Sequence, residues 1–393
     1  MTLMPVADAQ ARLLALAPML PVETVALGDA AGRWLAEDVR ALRAQPWADL
    51  SAMDGYAIRA AEWPGPWRVS ATSAAGGDAP TRLGTGEACR IFTGAPMPTG
   101  ADAVMLQEDS EQTDDIVRGT QDGPATGRNV RAAGSDFAEG ALLLSAGTRL
   151  GPAQIALAAV AGHGALPVRR AIKIAILSSG SELVPPGAPV LPGKLPSSNA
   201  VMLATMLQGL PCRVEDKGIA PDDLNATAQL LGACAGADII VSTGGASVGD
   251  HDHVKAAFAQ AGGSLDFWKI AMRPGKPLMA GRLGEALFLG LPGNPVSAFV
   301  TAQLFLLPLL RHMAGAATPL PPIRQARLAV PLPNAGSREE YLRAVRGAEG
   351  VSAIRSQDSA GLLALSQADC LIRRAAHAPT ASTGDLIEII DIG

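Results

Sequence analysis

At 393 residues the chain exceeds what one hydrophobic core supports, and at roughly 150 residues per domain it should hold two to four domains. Apolar residues make up 48% of it but aromatic ones only 4%, so its cores must be built from Ala, Val, Leu and Ile. A net charge of −5 without a run of Lys or Arg argues against nucleic acid as a partner and favours a small-molecule substrate.

The first predicted element is an amphipathic helix over 7–16; Asp8 and the lack of a basic lead-in separate it from a signal peptide. Cys89, Cys212, Cys234 and Cys370 form no C-x-x-C pair, which fits neither a zinc ribbon nor a disulfide framework, so a cytoplasmic protein is expected. Helix-prone stretches at 30–41 and 152–162 flank short alternating runs: Trp67-Arg68-Val69-Ser70, Cys89-Arg90-Ile91-Phe92 and Asp115-Ile116-Val117-Arg118. Gly/Pro/Asp turns separate these runs, so 47–137 reads as a β-rich module inserted into a discontinuous domain of 1–46 and 138–170.

From 171 the pattern changes. Apolar runs at 172–177, 238–241 and 286–289 alternate with helical patterns at 199–207, 222–234 and 253–261, so 171–317 reads as βαβ units on a parallel sheet with ligands at the strand C-termini. A further helix is expected over 296–313. Its most apolar part, 295–310, is interrupted by Gln303 and Pro308 and falls short of the roughly 18 apolar residues a membrane span needs. A Pro-rich linker at 318–322 opens the last module, 318–393, with alternating strands such as 386–390.

Three loops follow strands: Leu177-Ser178-Ser179-Gly180-Ser181-Glu182, Ser242-Thr243-Gly244-Gly245-Ala246-Ser247-Val248-Gly249 and Gly290-Leu291-Pro292-Gly293-Asn294-Pro295. Small and hydroxylated residues there let backbone N–H groups approach an oxyanion such as phosphate, although any one loop alone reads equally well as a tight turn. Glu182, Asp222, Asp250 and Asp252 fall beside them, as carboxylates that hold Mg²⁺ against phosphate would. A helix N-cap is the plainer role for Asp222. The string His251-Asp252-His253 looks like metal ligation, but adjacent side chains in a loop rarely converge. Lys269, Arg273 and Lys276 lie on a segment stiffened by Pro274 and Pro277, which presents them as an oxyanion clamp. Residues alone lead to an α/β protein with an anion-binding, metal-assisted site and two β modules without a role.

Taken together, residues 51–59, 90–108, 129–136, 178–183, 243–255, 268–277 and 290–297 resemble the MoeA family, the molybdopterin molybdenumtransferases. The resemblance implies a multidomain α/β plus β fold. Its parts are an elongated linking domain, an inserted β-rich domain, a central molybdopterin-binding α/β domain with a parallel-rich sheet, and a C-terminal β-barrel-like domain. It implies a twofold homodimer whose cleft lies between the α/β domain of one subunit and the inserted domain of the other. The activity implied is insertion of molybdenum from molybdate into adenylyl-molybdopterin with Mg²⁺, releasing AMP and forming the molybdenum cofactor. Implied partners extend to a molybdopterin adenylyltransferase and to apo-molybdoenzymes.

By motif position, the resemblance assigns Glu182, Asp222 and Asp252 as catalytic and Mg²⁺-ligating carboxylates, and Asp54, Thr93 and Asp136 as catalytic residues from the partner's inserted domain. Substrate is implied to meet Ser181, Thr243, Gly244, Gly245, Ser247, Lys269, Arg273, Lys276, Pro292 and Pro295, with Arg343 and Ser359 completing the molybdate pocket. Two departures stand out. Leu195-Pro196-Ser197-Ser198-Asn199 replaces a common Ile-Tyr-Asp-Ser-Asn string, and Arg273 stands where Lys is common, a planar fork in place of a point donor. Alternatives are a molybdopterin adenylyltransferase, marked by ATP consumption, a non-catalytic molybdopterin-binding scaffold, and a metal phosphohydrolase active without molybdate.

Overall fold

In the computed structural model, which describes residues 3–77, 82–221, 223–245 and 253–392, the first helix runs Val6–Leu16, and its buried stripe of Val6, Ala9 and Leu13 follows the helical repeat. Although 1–46 is expected within a linking domain, this stripe enters the same core as Ile174, Ile176 and Val241 of the α/β sheet. Beyond it, strand Val22–Ala26 pairs antiparallel with Ala165–Arg169, and Val39–Arg40 with Leu142–Leu144. The segments on either side of the inserted module therefore share a core of Ala30, Leu35, Val39, Leu150, Ala158 and Val168.

The helix expected over 30–41 does not form. A single turn, Leu27–Ala30, stops before Gly32, whose φ of 78° a helix cannot hold, and Trp34 and Leu35 bridge to Arg149 and Val168 instead. Sheet pairing outweighs the local Ala/Leu spacing there.

The inserted module is a six-stranded sheet in the order Ala103–Leu106, Gly55–Ile58, Glu87–Ile91, Trp67–Ser73, Ile116–Gly119 and Ser110–Thr113. Strand alternation sends Tyr56, Ile58, Trp67 and Met105 to one face and Ala57, Cys89, Ile91 and Val104 to the other, each with its own apolar cluster.

The central sheet runs Cys212–Ala220, Ile172–Ser179, Ile239–Thr243, Ala286–Leu291, Met279–Leu283 and Ser264–Trp268. The first four strands are parallel, Met279–Leu283 runs antiparallel to them, and Ser264–Trp268, antiparallel to Met279–Leu283, runs again with the first four. Helices Asn199–Met206 and Pro295–Met313 cover one face. Leu224–Ala233 and His253–Gln260 cover the other, where Phe258 stacks on Phe288 at 4.2 Å. Because the chain leaves strand Ile172–Ser179 for one neighbour and returns to the opposite one, Ile239–Thr243, the crevice between their C-terminal ends is a topological switch point.

Helix Pro295–Met313, at 19 residues, forms over the stretch expected to be helical and is the one helix among the described residues long and apolar enough to cross a membrane, contrary to the expectation that Gln303 and Pro308 leave its apolar stretch too short for that. Its most apolar window is 83% buried in the protein. The helix continues through Pro308 because Ala302–Leu306 widens to a π-helical turn and because the carbonyl of Leu304, which Pro308 has no N–H to satisfy, accepts a 2.8 Å bond from the distant Gln10 Nε2.

The last module pairs Glu339–Gly347 with Cys370–Arg374, then Leu386–Asp391 and Arg324–Arg327, with Gly350–Ala353 on the other side of Glu339–Gly347. A bridge between Leu328 and Val351 links the last strand of this path back to Gly350–Ala353, closing the ring around Leu328, Val351, Ile372 and Ile389. The short strand Met272–Arg273 adds to it in parallel, paired with Glu339–Glu340.

Candidate active site

The three strand-end loops meet. Ser178 Oγ accepts from Ser197 Oγ at 3.2 Å and from Thr243 Oγ1 at 3.5 Å, a buried hydroxyl cluster at the switch point. Gly244, at φ 86°, passes so close to the first loop that an added Cβ would lie 2.3 Å from Ser179 O. A Cβ on Gly293 of the third loop would lie 3.3 Å from Gly244 Cα. Gly244 admits no other residue and Gly293 leaves little room for one, so backbone rather than side chain lines the cradle. Gly245 follows at φ 64°, Pro292 is buried, and Pro295 begins the core helix, where a missing N–H is harmless. Ser181 and Glu182 are exposed at the turn after the first strand.

Ser247, Asp252 and the rest of the string 246–252 lie outside the described residues, as does Asp222. Of the three carboxylates assigned to Mg²⁺, Glu182 alone is described, and no group of three metal-ligating side chains occurs among the described residues. The N-cap of helix Leu224–Ala233 is Asp223, whose Oδ1 accepts from Ala226 N at 2.7 Å, one residue later than the sequence suggests.

The basic loop lines a second feature, a cavity of about 850 Å³ between the α/β domain and the closed ring. Arg273 and Lys276 stand on its wall, exposed, with Arg273 Nη1 at 3.7 Å from Glu340 Oε1. Gly275 makes the turn between them at φ 107°, where a Cβ would meet Thr301 Cγ2 at 2.6 Å. Lys269, at φ 71° and half-buried, is not on the cavity wall. Arg338 and Arg355 are on it, and neither is singled out by the sequence. Arg338 donates to Met272 O at 3.2 Å, which ties it to the strand that carries Arg273.

Ser359 joins the cavity to the cradle. Its Oγ accepts from Asn294 Nδ2 at 2.9 Å and its carbonyl from Val296 N at 3.0 Å, so the third loop belongs to both. Arg343 is a correction. Rather than facing the cavity, it is 1% exposed, and its guanidinium donates to Gly361 O at 2.9 Å, Ser356 O at 3.0 Å and Asp358 O at 2.8 Å. Burial pushes its pKa down, against the pull of Asp358. It holds the loop that presents Ser359.

In the inserted sheet, Asp54 Oδ1 accepts from Thr93 N at 2.7 Å and Thr93 Oγ1 at 2.8 Å, and these two bonds hold the exposed carboxyl below its ordinary pKa, aided by the charge of Arg90. Arg90 is braced over the rings of Tyr56 and Phe92 and donates to Gly55 O at 2.8 Å. Asp136 is exposed after strand Val130–Arg131, which pairs with Leu50–Ser51 beside the Asp54 turn. The bonds of Asp54 and Thr93 stay within their own module.

Residues 4–162 match the family model of the MoeA N-terminal region (domain I and II), 175–312 that of a probable molybdopterin binding domain, and 325–392 that of the MoeA C-terminal region (domain IV). The chain is 36% identical to a molybdopterin molybdenumtransferase of Haemophilus influenzae over 75% of its length and 73% of the relative's. It is 37% identical to molybdopterin molybdenumtransferase 2 of Mycobacterium tuberculosis over 82% of each chain. A crystal structure of the molybdopterin biosynthesis MoeA protein from Pyrococcus horikoshii superposes with a TM-score of 0.86 at 26% identity, covering 100% of both chains.

Proposed function

The chain belongs to the MoeA family, and on that premise we propose that it is a molybdopterin molybdenumtransferase, inserting molybdenum from molybdate into adenylyl-molybdopterin with release of AMP. The observation that carries this reading is the shared third loop: through Asn294 and Ser359 it sets a cationic cavity directly against a glycine-lined, donor-rich cradle. In this reading the cradle holds pterin and pyrophosphate, while Arg273, Lys276 and Ser359 hold the tetrahedral molybdate beside them. Binding both in adjoining pockets replaces a bimolecular encounter by a positioned one. Arg343 acts through the loop rather than on the oxyanion.

Cleavage of the phosphoanhydride then needs a water held by an ionised carboxylate. Asp54, kept ionised by Thr93, suits that role; Asp252 is the second candidate by motif position alone. Asp54, Thr93 and Asp136 sit in the inserted module, so the proposal includes a homodimer in which they reach the cleft of the second copy.

Mg²⁺ would be held by Glu182 with Asp222 and Asp252. Glu182 fits that donor chemistry: it is an exposed carboxylate, and a Cβ on Gly180 would lie 2.5 Å from its Oε2, at the mouth of the cradle. Mg²⁺ uses one or two carboxylates with phosphate oxygens and water, and supplies neutralisation of phosphate charge when bound. The cytoplasm is the proposed compartment.

Mixed dimers test the shared cleft. Asp54→Asn and Lys276→Ala homodimers should each lose cofactor formation, whereas co-expressed chains should recover activity, because one cleft of each heterodimer keeps both residues. Failure of recovery in verified heterodimers would mean that each chain builds its own site.

A further inference from the structure

Asn199 belongs to none of the assigned roles, yet it lies at the convergence of the three loops. It opens helix Asn199–Met206, whose Ala200 and Leu203 pack on the same sheet face as the Ser178, Ser197 and Thr243 hydroxyls. Its Nδ2 donates to Gly293 O at 2.7 Å, and since a carbonyl can only accept, that bond fixes which end of the amide faces the loop. The other end, Oδ1, is buried within a residue 9% exposed and has no hydrogen-bond partner. Buried amide oxygens are nearly always paired, so an orphan beside a binding cradle marks a bond that a ligand completes.

The chemistry of that bond is constrained. Oδ1 only accepts, so it repels phosphate, pyrophosphate and molybdate oxygens, which the glycine backbone and hydroxyls suit. It selects instead a group bearing N–H. Ala200 and Leu203 of the same helix are buried in the core against the sheet, which holds the amide in place. We propose that Asn199 Oδ1 accepts a hydrogen bond from an N–H on the edge of a substrate heterocycle, making the cradle a two-part site with donors for the anion and one acceptor for the ring. This rests on the molybdopterin reading above, in which pterin and adenine both carry such an edge.

Two probe pairs separate the sources: pterin against 2-dimethylamino-3-methylpterin, and adenosine against N6,N6-dimethyladenosine, each titrated into the full-length protein. The wild type should favour the N–H member of one pair by about three- to tenfold, the effect of one neutral hydrogen bond, and Asn199→Ala should bring that ratio to about one. A merely structural loss of the Gly293 bond would weaken both members of a pair alike and leave the ratio intact. Asn199→Ser serves if the alanine variant does not fold. A response by the pterin pair assigns the acceptor to the pterin; by the adenosine pair, to the adenylyl half. Unchanged ratios in a protein that binds pterin overturn the role of Asn199 alone, whereas a wild type that binds neither ring overturns the molybdopterin reading as well.

Discussion

Two arginines assigned to the same oxyanion pocket should fail in opposite ways. Arg343→Met keeps much of the side-chain volume but leaves Gly361, Ser356 and Asp358 carbonyls without the donors now at 2.8–3.0 Å. Each orphaned carbonyl costs about 1–3 kcal/mol, and removing a desolvated guanidinium returns part of the total, so a net loss of about 3 kcal/mol is expected. With a urea dependence of roughly 3 kcal/mol per molar, the unfolding midpoint falls by about 1 M, and amide exchange quickens across 354–361. Arg273, with 62% of its side chain exposed and only a 3.7 Å approach to Glu340, should behave otherwise: Arg273→Met leaves the stability within about 0.5 kcal/mol of wild type but weakens molybdate binding. Urea unfolding and molybdate titration of both variants settle the matter. An Arg343→Met protein with wild-type stability and no molybdate binding would refute the loop-holding role.

Other consequences follow from the same geometry. Gly244→Ala places a Cβ 2.3 Å from Ser179 O at a φ of 86°. It should lose at least 1–2 kcal/mol from the left-handed conformation alone and abolish substrate binding, and wild-type affinity in a titration would show that the loops do not meet. The Asp54 pKa is depressed, so its bonds to Thr93 stabilise the fold above the carboxyl's ordinary value and are lost as pH falls through the lower, folded value. Thr93→Val should move that titration back up, because one of the two bonds disappears; an unmoved carbon-13 titration of Asp54 would mean that the hydroxyl contributes nothing.

How much of this was legible beforehand follows from how local each feature is. The continuous apolar runs 172–177 and 286–289 announce parallel strands buried on both faces, and they form where expected. The stiff loop around Arg273 and Lys276 likewise announces itself through its prolines. The cavity does not, because Arg273, Arg338 and Arg355 come from segments far apart in sequence and meet only when strand Met272–Arg273 adds to the C-terminal ring. Arg343 misleads for the same reason: the resemblance places it at the molybdate pocket by motif position, and only tertiary packing reveals three carbonyls around it. At 30–41, Ala and Leu spacing suggests a helix, but the pairing of Leu35 with Val168 is a contact across more than a hundred residues. Nothing local to residues 302–308 indicates that the carbonyl freed by Pro308 will be satisfied by Gln10.

The most direct test of the account is AMP release from adenylyl-molybdopterin by the purified protein with Mg²⁺, measured with and without molybdate and after chelation. Release that requires both molybdate and the metal, accompanied by active cofactor, is the predicted result. AMP release indifferent to molybdate, or no binding of adenylyl-molybdopterin at all, would contradict it.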